Sequence, residues 1–120
     1  MTTTKRLLTT LLVVLLISQY ARATDEPTAA LAQYGAITAY DIALEEMGAA
    51  EERAAANGVT EPFTIAIYQT GANALELAAY HLSWGNIYFQ QGNWGMAWLH
   101  YGHAINNASA AATFFSYVYP

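Results

Sequence analysis

The chain contains no cysteine and few basic residues, with four Lys and Arg against nine Asp and Glu in 120 residues. The lack of cysteine excludes disulfides, thiolate metal sites and cysteine nucleophiles. The scarcity of basic residues argues against a nucleic-acid partner, because phosphate binding depends on clustered Lys and Arg. It also disfavours electrostatic docking on an anionic membrane. A chain of this length, 55% hydrophobic and 11% charged, is one small domain held together by packing.

The beginning of the chain has the layout of a cleaved export signal. Two basic residues lie within the first six positions, and a mostly apolar run follows over residues 7–17. This run is shorter than the roughly 20 apolar residues that a bilayer core requires. Small residues at Ala21 and Ala23 suit signal-peptidase cleavage after Ala23. We therefore predict a signal peptide over residues 1–23 and a periplasmic or secreted domain over residues 24–120, with no stable membrane span after cleavage.

The segment over residues 28–57 has a helical composition, rich in Ala, Leu, Glu and Gln. Pro27 suits a first helical turn, and Asn57-Gly58 is a helix stop. We expect an interruption near Gly48, since glycine weakens a helix. Apolar residues mostly three or four apart predict one core-facing stripe. That stripe consists of Leu31, Ile37, Tyr40, Ala43, Leu44 and Met47.

A second helix is predicted to begin with Thr60-Glu61-Pro62 as its cap and first turn, and to end at Gly71. Asn73, with Glu76 three residues later, resembles a capping box and predicts a helix over residues 74–91.

Gly92 can adopt the left-handed conformation that closes this helix, and Asn93 can cap another over residues 94–106. Two helices joined by so short a turn form an antiparallel hairpin. A last apolar segment is predicted to start at Ser109 as its cap and to run through Tyr119.

The hairpin carries large and small residues at the spacing of a helical repeat. The positions are His81, Trp84, Gly85, Tyr88, Gly92, Ala97, Tyr101 and Ala104. In this spacing residues 73–107 resemble the tetratricopeptide repeat (TPR) family, and the run over 84–101 is similar to exported bacterial members linked to aerotolerance operons. The resemblance implies an all-α fold of antiparallel helical hairpins, a short α-solenoid. Residues 36–44 repeat the second-helix pattern and indicate a remnant of an earlier repeat.

The resemblance also implies a groove that holds a partner peptide. Its stripe on the first helix of the hairpin corresponds to Ala79, Leu82, Asn86, Phe89 and Gln90. Asn86 matches the asparagine that bonds the ligand backbone in many members of the family. The carboxylate-binding form of this groove also needs several Lys and Arg, whereas only Arg53 follows Thr24. The resemblance therefore implies a protein or peptide partner held by apolar and amide contacts.

The residues that could support chemistry instead are His81, His100 and His103. His100 and His103 lie one turn apart, but we expect His81 in the packed seam and the other two outside it, so that the three do not converge on a metal. No serine lies in a nucleophile turn. The glutamate pairs at 45–46 and 51–52 are interpreted as a solvated acidic face. Trp84, Trp94 and Trp98, with Tyr88 and Tyr101, are interpreted as core.

The sequence thus predicts an exported, non-enzymatic interaction module or scaffold without cofactor or metal. The alternative is a small exported metal-binding or catalytic protein that uses His81, His100 and His103. Helical repeats bury their faces only against neighbours, and a mature chain of this length is short for a stable array. We therefore expect self-association, with the apolar segment over residues 110–119 as the exposed end.

Overall fold

The computed structural model describes residues 25–58 and 61–120, and the predicted signal peptide lies outside these residues. The described part forms three α-helices, α1 over Glu26–Asn57, α2 over Pro62–Gln90 and α3 over Trp94–Ser116. The described residues contain no strand, which confirms the all-α class. None of the three helices combines the length and hydropathy that a membrane crossing requires.

Helix α1 is a single unbroken helix. The Asp25 carboxylate caps it by accepting a hydrogen bond from the Thr28 N–H at 3.0 Å. It ends at Asn57, and Gly58 follows as its C-cap with a φ of 72°, which confirms the predicted stop. The expected interruption near Gly48 is wrong, because one glycine costs a helix only about 1 kcal/mol and packing on both sides of Gly48 keeps the backbone helical.

The core face of α1 consists of alanines seven residues apart. Ala29, Ala36, Ala43 and Ala50 are fully buried. The predicted stripe is therefore wrong in part: Ala43 is buried and Tyr40 and Met47 pack on the core, but the three larger aliphatic side chains are exposed. These are Leu31, Ile37 and Leu44, at 74%, 42% and 38%. The small alanine side chains allow the α1 backbone to approach the hairpin closely. The large side chains that fill the core come from α3.

Helix α2 continues through both positions where the sequence predicted a boundary. Gly71 does not end a helix, and Asn73 does not cap one. The physical reason is tertiary, because the Phe115 ring lies against Gly71, where an added Cβ would come within 2.8 Å of it. Helix α3 likewise continues past the predicted end at Asn106, so Ser109 lies inside it rather than at a cap.

The turn between α2 and α3 has the predicted chemistry. Gly92 has a φ of 74°, a conformation that favours glycine. The Asn93 side chain accepts a hydrogen bond from the Met96 N–H at 3.3 Å, which caps α3. Gly92 and Asn93 together reverse the direction of the chain, so α2 and α3 form an antiparallel hairpin.

The hairpin is packed by alternating spacings of four and three residues on α3. The buried positions in this spacing are Ala97, Tyr101, Ala104, Ala108, Ala111 and Phe115, and Val118 continues it just after the end of α3. Trp98 and Gly102 are also buried on this helix. Tyr101 lies over Gly85 and Phe115 over Gly71, which defines the antiparallel register. Such spacing favours a left-handed crossing of two helices, in which large side chains of one helix fit between the side chains of the other. Helix α1 packs mainly on α3 and less on α2.

The predicted exposed end is largely part of this core. Within residues 110–119, Ala111, Phe115 and Val118 are buried. Arg53 on α1 donates from Nε to the Val118 carbonyl at 2.8 Å and from Nη2 to the Phe115 carbonyl at 2.9 Å. These bonds satisfy backbone acceptors that a helix end leaves unpaired. The segment therefore contributes most of its apolar side chains to the fold, contrary to the expectation of an exposed end.

Candidate functional site

The predicted groove stripe lies where α1 meets the hairpin. Leu82 and Phe89 pack against a buried cluster that includes Ala29 and Ala36 of α1. Ala79 is half-buried, and Gln90, at the last position of α2, is exposed. The central part of the stripe is therefore a packing surface within this chain, and a partner there would have to share it with α1.

Asn86 links all three helices. Its Oδ1 accepts hydrogen bonds from Gln33 Nε2 on α1 at 3.0 Å and from the Tyr101 hydroxyl on α3 at 2.6 Å. Burial raises the pKa of Tyr101, so the hydroxyl stays protonated and donates. A ligand that approached Asn86 would compete with two intramolecular donors for this oxygen.

The opposite face of α2 carries large apolar side chains in contact with solvent. We call Leu77, Tyr80, Trp84 and Ile87 the outer seam, and their side chains are 52%, 56%, 39% and 41% exposed. A shallow pocket of about 320 Å³, lined by Asn73, Glu76, Leu77 and Tyr80, opens beside it. The expectation that the tryptophans are core is thus right for Trp98, which is 4% exposed, and wrong for Trp84.

The outer seam was detectable from its spacing. Its residues follow one another at three, four and three positions, which places them along one face of a helix. The repeat spacing predicted that Trp84 packs on α3 beside Gly85. Gly85 does lie in the inner face, with Leu75 and Ala78, whereas Trp84 lies one position away on the solvent-exposed face.

The rings of the three histidines lie close together, contrary to the expected separation of His81 from His100 and His103. The Nδ1 atoms of His81 and His100 lie 3.0 Å apart, and the His103 ring centroid is 4.9 Å from that of His81. The reason is that His81 lies beside the buried row of α2 that includes Leu75, Ala78 and Gly85, and not within that row. It therefore reaches the side of the hairpin where α3 presents His100 and His103.

Aromatic rings surround this histidine cluster. Tyr88 stacks on His100 with centroids 5.4 Å apart, and Tyr80 meets His81 edge-on at 5.2 Å. Burial, followed by the repulsion of the neighbouring imidazoles, lowers the pKa of His81 and of His100. In the contact between the two Nδ1 atoms one ring donates its proton and the other accepts it, so at least one ring is neutral. This contact holds a proton between the two Nδ1 atoms, so a cation could bind both nitrogens only after that proton moves to Nε2 of the same ring.

The cluster is not a preformed metal site. Within residues 25–58 and 61–120, no three ligating side chains are arranged to hold a metal ion. The Nδ1 atoms of His81 and His100 are nevertheless close to the separation that zinc requires. Two imidazole nitrogens bound to one tetrahedral zinc ion lie about 3.3 Å apart.

A separate apolar cavity of about 400 Å³ lies between the end of α1 and the start of α2. Its lining includes Ala54, Ile65, Tyr68 and Val118, with Glu51 at its edge. The Tyr68 hydroxyl donates to the Glu51 carboxylate at 2.6 Å, and this bond raises the pKa of Tyr68 to about 12. Of the predicted acidic face, Glu45, Glu51 and Glu52 are exposed and Glu46 is half-buried.

No family model, no curated protein and no solved structure matches the chain.

Proposed function

We propose that this chain is an exported, non-enzymatic helical scaffold that binds a helical segment of a protein through the outer seam of α2. The observation that carries the proposal is the exposure of Leu77, Tyr80, Trp84 and Ile87 along one helix face. A continuous apolar strip of this kind is typical of a surface that another helix covers.

The charge distribution supports a partner of low charge. In the sequence from Pro62 to Pro120, Glu76 is the only Asp, Glu, Lys or Arg. A strongly charged helix would therefore gain no ion pairs on this surface and would lose hydration. An apolar helix with few charges fits the outer seam best.

We further propose that the hairpin is a diverged relative of the TPR type. The glycine turn at Gly92 and the close approach of Gly85 to Tyr101 support this relationship. The lengths differ, because α2 and α3 have 29 and 23 residues, and a complete TPR has 34. This difference and the position of α1 favour binding through the outer seam over binding through the predicted groove.

Photo-crosslinking in the native cell tests the proposed function. A photo-reactive amino acid replaces Trp84 or Ile87 in the outer seam, and in matched control variants it replaces Ile42 on α1, which is 50% exposed, or Thr113 on α3, which is exposed. We expect one defined protein adduct at the seam positions and none at the controls. No adduct at the seam, or the same adducts at all four positions, would overturn the proposal.

The convergence of the histidines favours a second candidate function, the capture of a divalent metal such as zinc. The Nδ1 atoms of His81 and His100 would supply two ligands once the proton between them has moved to Nε2 of its own ring, and His103 would supply a third after its exposed side chain reorients. Calorimetric titration of the purified chain with zinc tests this. Binding that His81→Gln and His100→Gln together abolish, and that His103→Gln weakens, supports this candidate. Absence of binding, or binding unchanged in the double variant, removes it.

A further inference from the structure

We propose that the partner of the outer seam is the same seam of a second copy, packed antiparallel around a two-fold axis. This inference rests on the proposed function and names its partner. It concerns a surface different from the C-terminal segment that the sequence indicated for self-association.

The outer seam is palindromic in spacing and in chemistry. An aliphatic residue, two aromatic residues and an aliphatic residue follow at intervals of three, four and three positions. An antiparallel copy therefore places Leu77 opposite the second copy's Ile87, and Tyr80 opposite the second copy's Trp84. The flanking residues continue the symmetry, because Asn73 and Gln91 lie four positions outside the seam on either side. Each amide thus faces the other amide across the pair.

A two-fold interface requires a self-complementary surface of this kind. A parallel pair would place each residue opposite itself, bringing Tyr80 against Tyr80 and Trp84 against Trp84, and would leave the amides at separate ends. The antiparallel arrangement also separates the two Glu76 carboxylates, each of which then lies level with Tyr88 of the other copy rather than with a like charge. The acidic residues of α1 remain on a different helix.

The exposed area suits a reversible dimer. Four large side chains at these exposures present roughly 400 Å² of apolar surface per copy, about half of what each partner buries in a standard interface. The pocket beside Leu77 and Tyr80 lies where the second copy's Ile87 arrives. Flanking residues of α2 then complete the contact.

Sedimentation equilibrium of the purified full chain over a wide concentration range tests the pairing. We expect a monomer–dimer equilibrium whose dissociation constant rises roughly tenfold or more with Leu77→Glu or Ile87→Glu. Thr113→Glu, on the exposed polar side of α3, is the matched control and leaves the equilibrium unchanged. Circular dichroism checks that each variant keeps its helicity.

Charge exchange tests the antiparallel register. The double variant Leu77→Lys with Ile87→Glu places opposite charges opposite each other in the antiparallel pair and like charges opposite each other in a parallel pair. We expect the double variant to recover dimerisation that either single variant loses. Failure to recover overturns the antiparallel arrangement.

Cysteine substitution gives an independent readout, because the chain has no cysteine of its own. An equal mixture of Leu77→Cys and Ile87→Cys chains is expected to form the mixed disulfide in preference to either homodimer. Preferential 77–77 and 87–87 disulfides would overturn the proposed register.

A wild-type chain that remains monomeric at every concentration, or a dimer insensitive to both glutamate variants, overturns self-pairing. The proposed scaffold function has a separate readout. If photo-adducts from the outer seam contain a different protein while the purified chain is monomeric, the seam binds a helix but not its own copy.

Discussion

At the scale of single residues, Asn86 has a structural role in addition to any role in binding. Tyr101 is fully buried, and its hydroxyl depends on Asn86 for an acceptor. The same oxygen holds Gln33 of α1. A residue that the family resemblance assigns to a ligand thus positions the three helices relative to one another here.

Replacing Asn86 should therefore reduce stability. We expect Asn86→Ala to lower the free energy of unfolding by about 1–3 kcal/mol, because it leaves the buried Tyr101 hydroxyl without its acceptor. Asn106→Ala, which removes an exposed amide from α3 away from the outer seam, should change stability by less than about 0.5 kcal/mol. Urea denaturation measures both. Equal effects of the two variants would show that the Asn86 hydrogen bonds contribute nothing to stability.

The histidine cluster should make stability depend on pH. Folding lowers the pKa of His81 and of His100 from the ordinary value of 6.5, so the unfolded chain binds more protons as pH falls through this value. The free energy of unfolding should then decrease on acidification below about pH 6.5. The neighbouring groups in the cluster are His103, Tyr80 and Tyr88.

Denaturation curves between neutral and mildly acidic pH, recorded with a chelator present, measure this dependence. The double variant His81→Gln and His100→Gln is expected to have a shallower slope than the wild-type chain over the same range. Identical slopes would show that the two imidazoles do not control the acid sensitivity. Comparison with this variant also separates their contribution from that of the carboxylates.

At the scale of helices, glycines that share a helical conformation have opposite roles. Gly85 lies in close contact with the Tyr101 ring, to which an added Cβ would come within 2.5 Å. That ring cannot swing away easily, because its hydroxyl is bonded to Asn86. At Gly48, no atom outside the adjacent residues and the nearby backbone of α1 lies within 4 Å of the position of an added Cβ.

Alanine substitution should therefore change stability in opposite directions at the two positions. We expect Gly48→Ala to stabilise the chain by about 0.5–1 kcal/mol through helix propensity. Gly85→Ala should destabilise it by about 1–3 kcal/mol, since overpacking exceeds the gain in propensity. Thermal and chemical denaturation compare the two variants with the wild type. A stabilising Gly85→Ala would mean that Tyr101 repacks at little cost.

Local chemistry predicted helix ends only where no tertiary contact opposed it. The stop at Gly58 and the turn at Gly92 and Asn93 were predictable, because a positive φ or a capping side chain acts within a few residues. Gly71 carries a similar local signal but stays inside the helix. The residue that requires a glycine there is Phe115, which packs against it and is distant in sequence. The presence of a glycine therefore does not show by itself whether a helix ends at that position or another helix packs closely against it.

The site was harder to predict than the helix ends for a related reason. Helix α2 has two apolar faces with similar spacing, and the choice between them determines which residues meet α3. The repeat spacing placed His81 and Trp84 with Gly85 in the contact with α3, which would bury Trp84. Of these, Gly85 packs on α3, while Trp84 is exposed and His81 lies beside His100 and His103.

At the scale of the whole molecule, charge and apolar exposure are segregated. Helix α1 carries six acidic residues and Arg53, whereas α2 and α3 together carry only Glu76. The acidic α1 can keep the chain hydrated. The nearly uncharged α2 is left free to contact a partner through its outer seam.

Export remains the last prediction at this scale, and it depends on residues outside the described range. Small residues at Ala21 and Ala23 should direct cleavage so that the mature chain starts at Thr24. Intact mass and N-terminal sequencing of the exported protein measure the cleavage site. Replacing Ala23 with a bulky residue, Ala23→Leu, should block processing because the peptidase pocket accepts only small side chains.

The matched control is Ala30→Leu, which introduces the same side chain beyond the predicted signal and should leave processing unchanged. Asp25, which caps α1, lies after the predicted cleavage site, so cleavage leaves all three helices and the Asp25 cap in the mature chain. An exported protein that still carries Met1, or one whose processing is unaffected by Ala23→Leu, would contradict cleavage at this site.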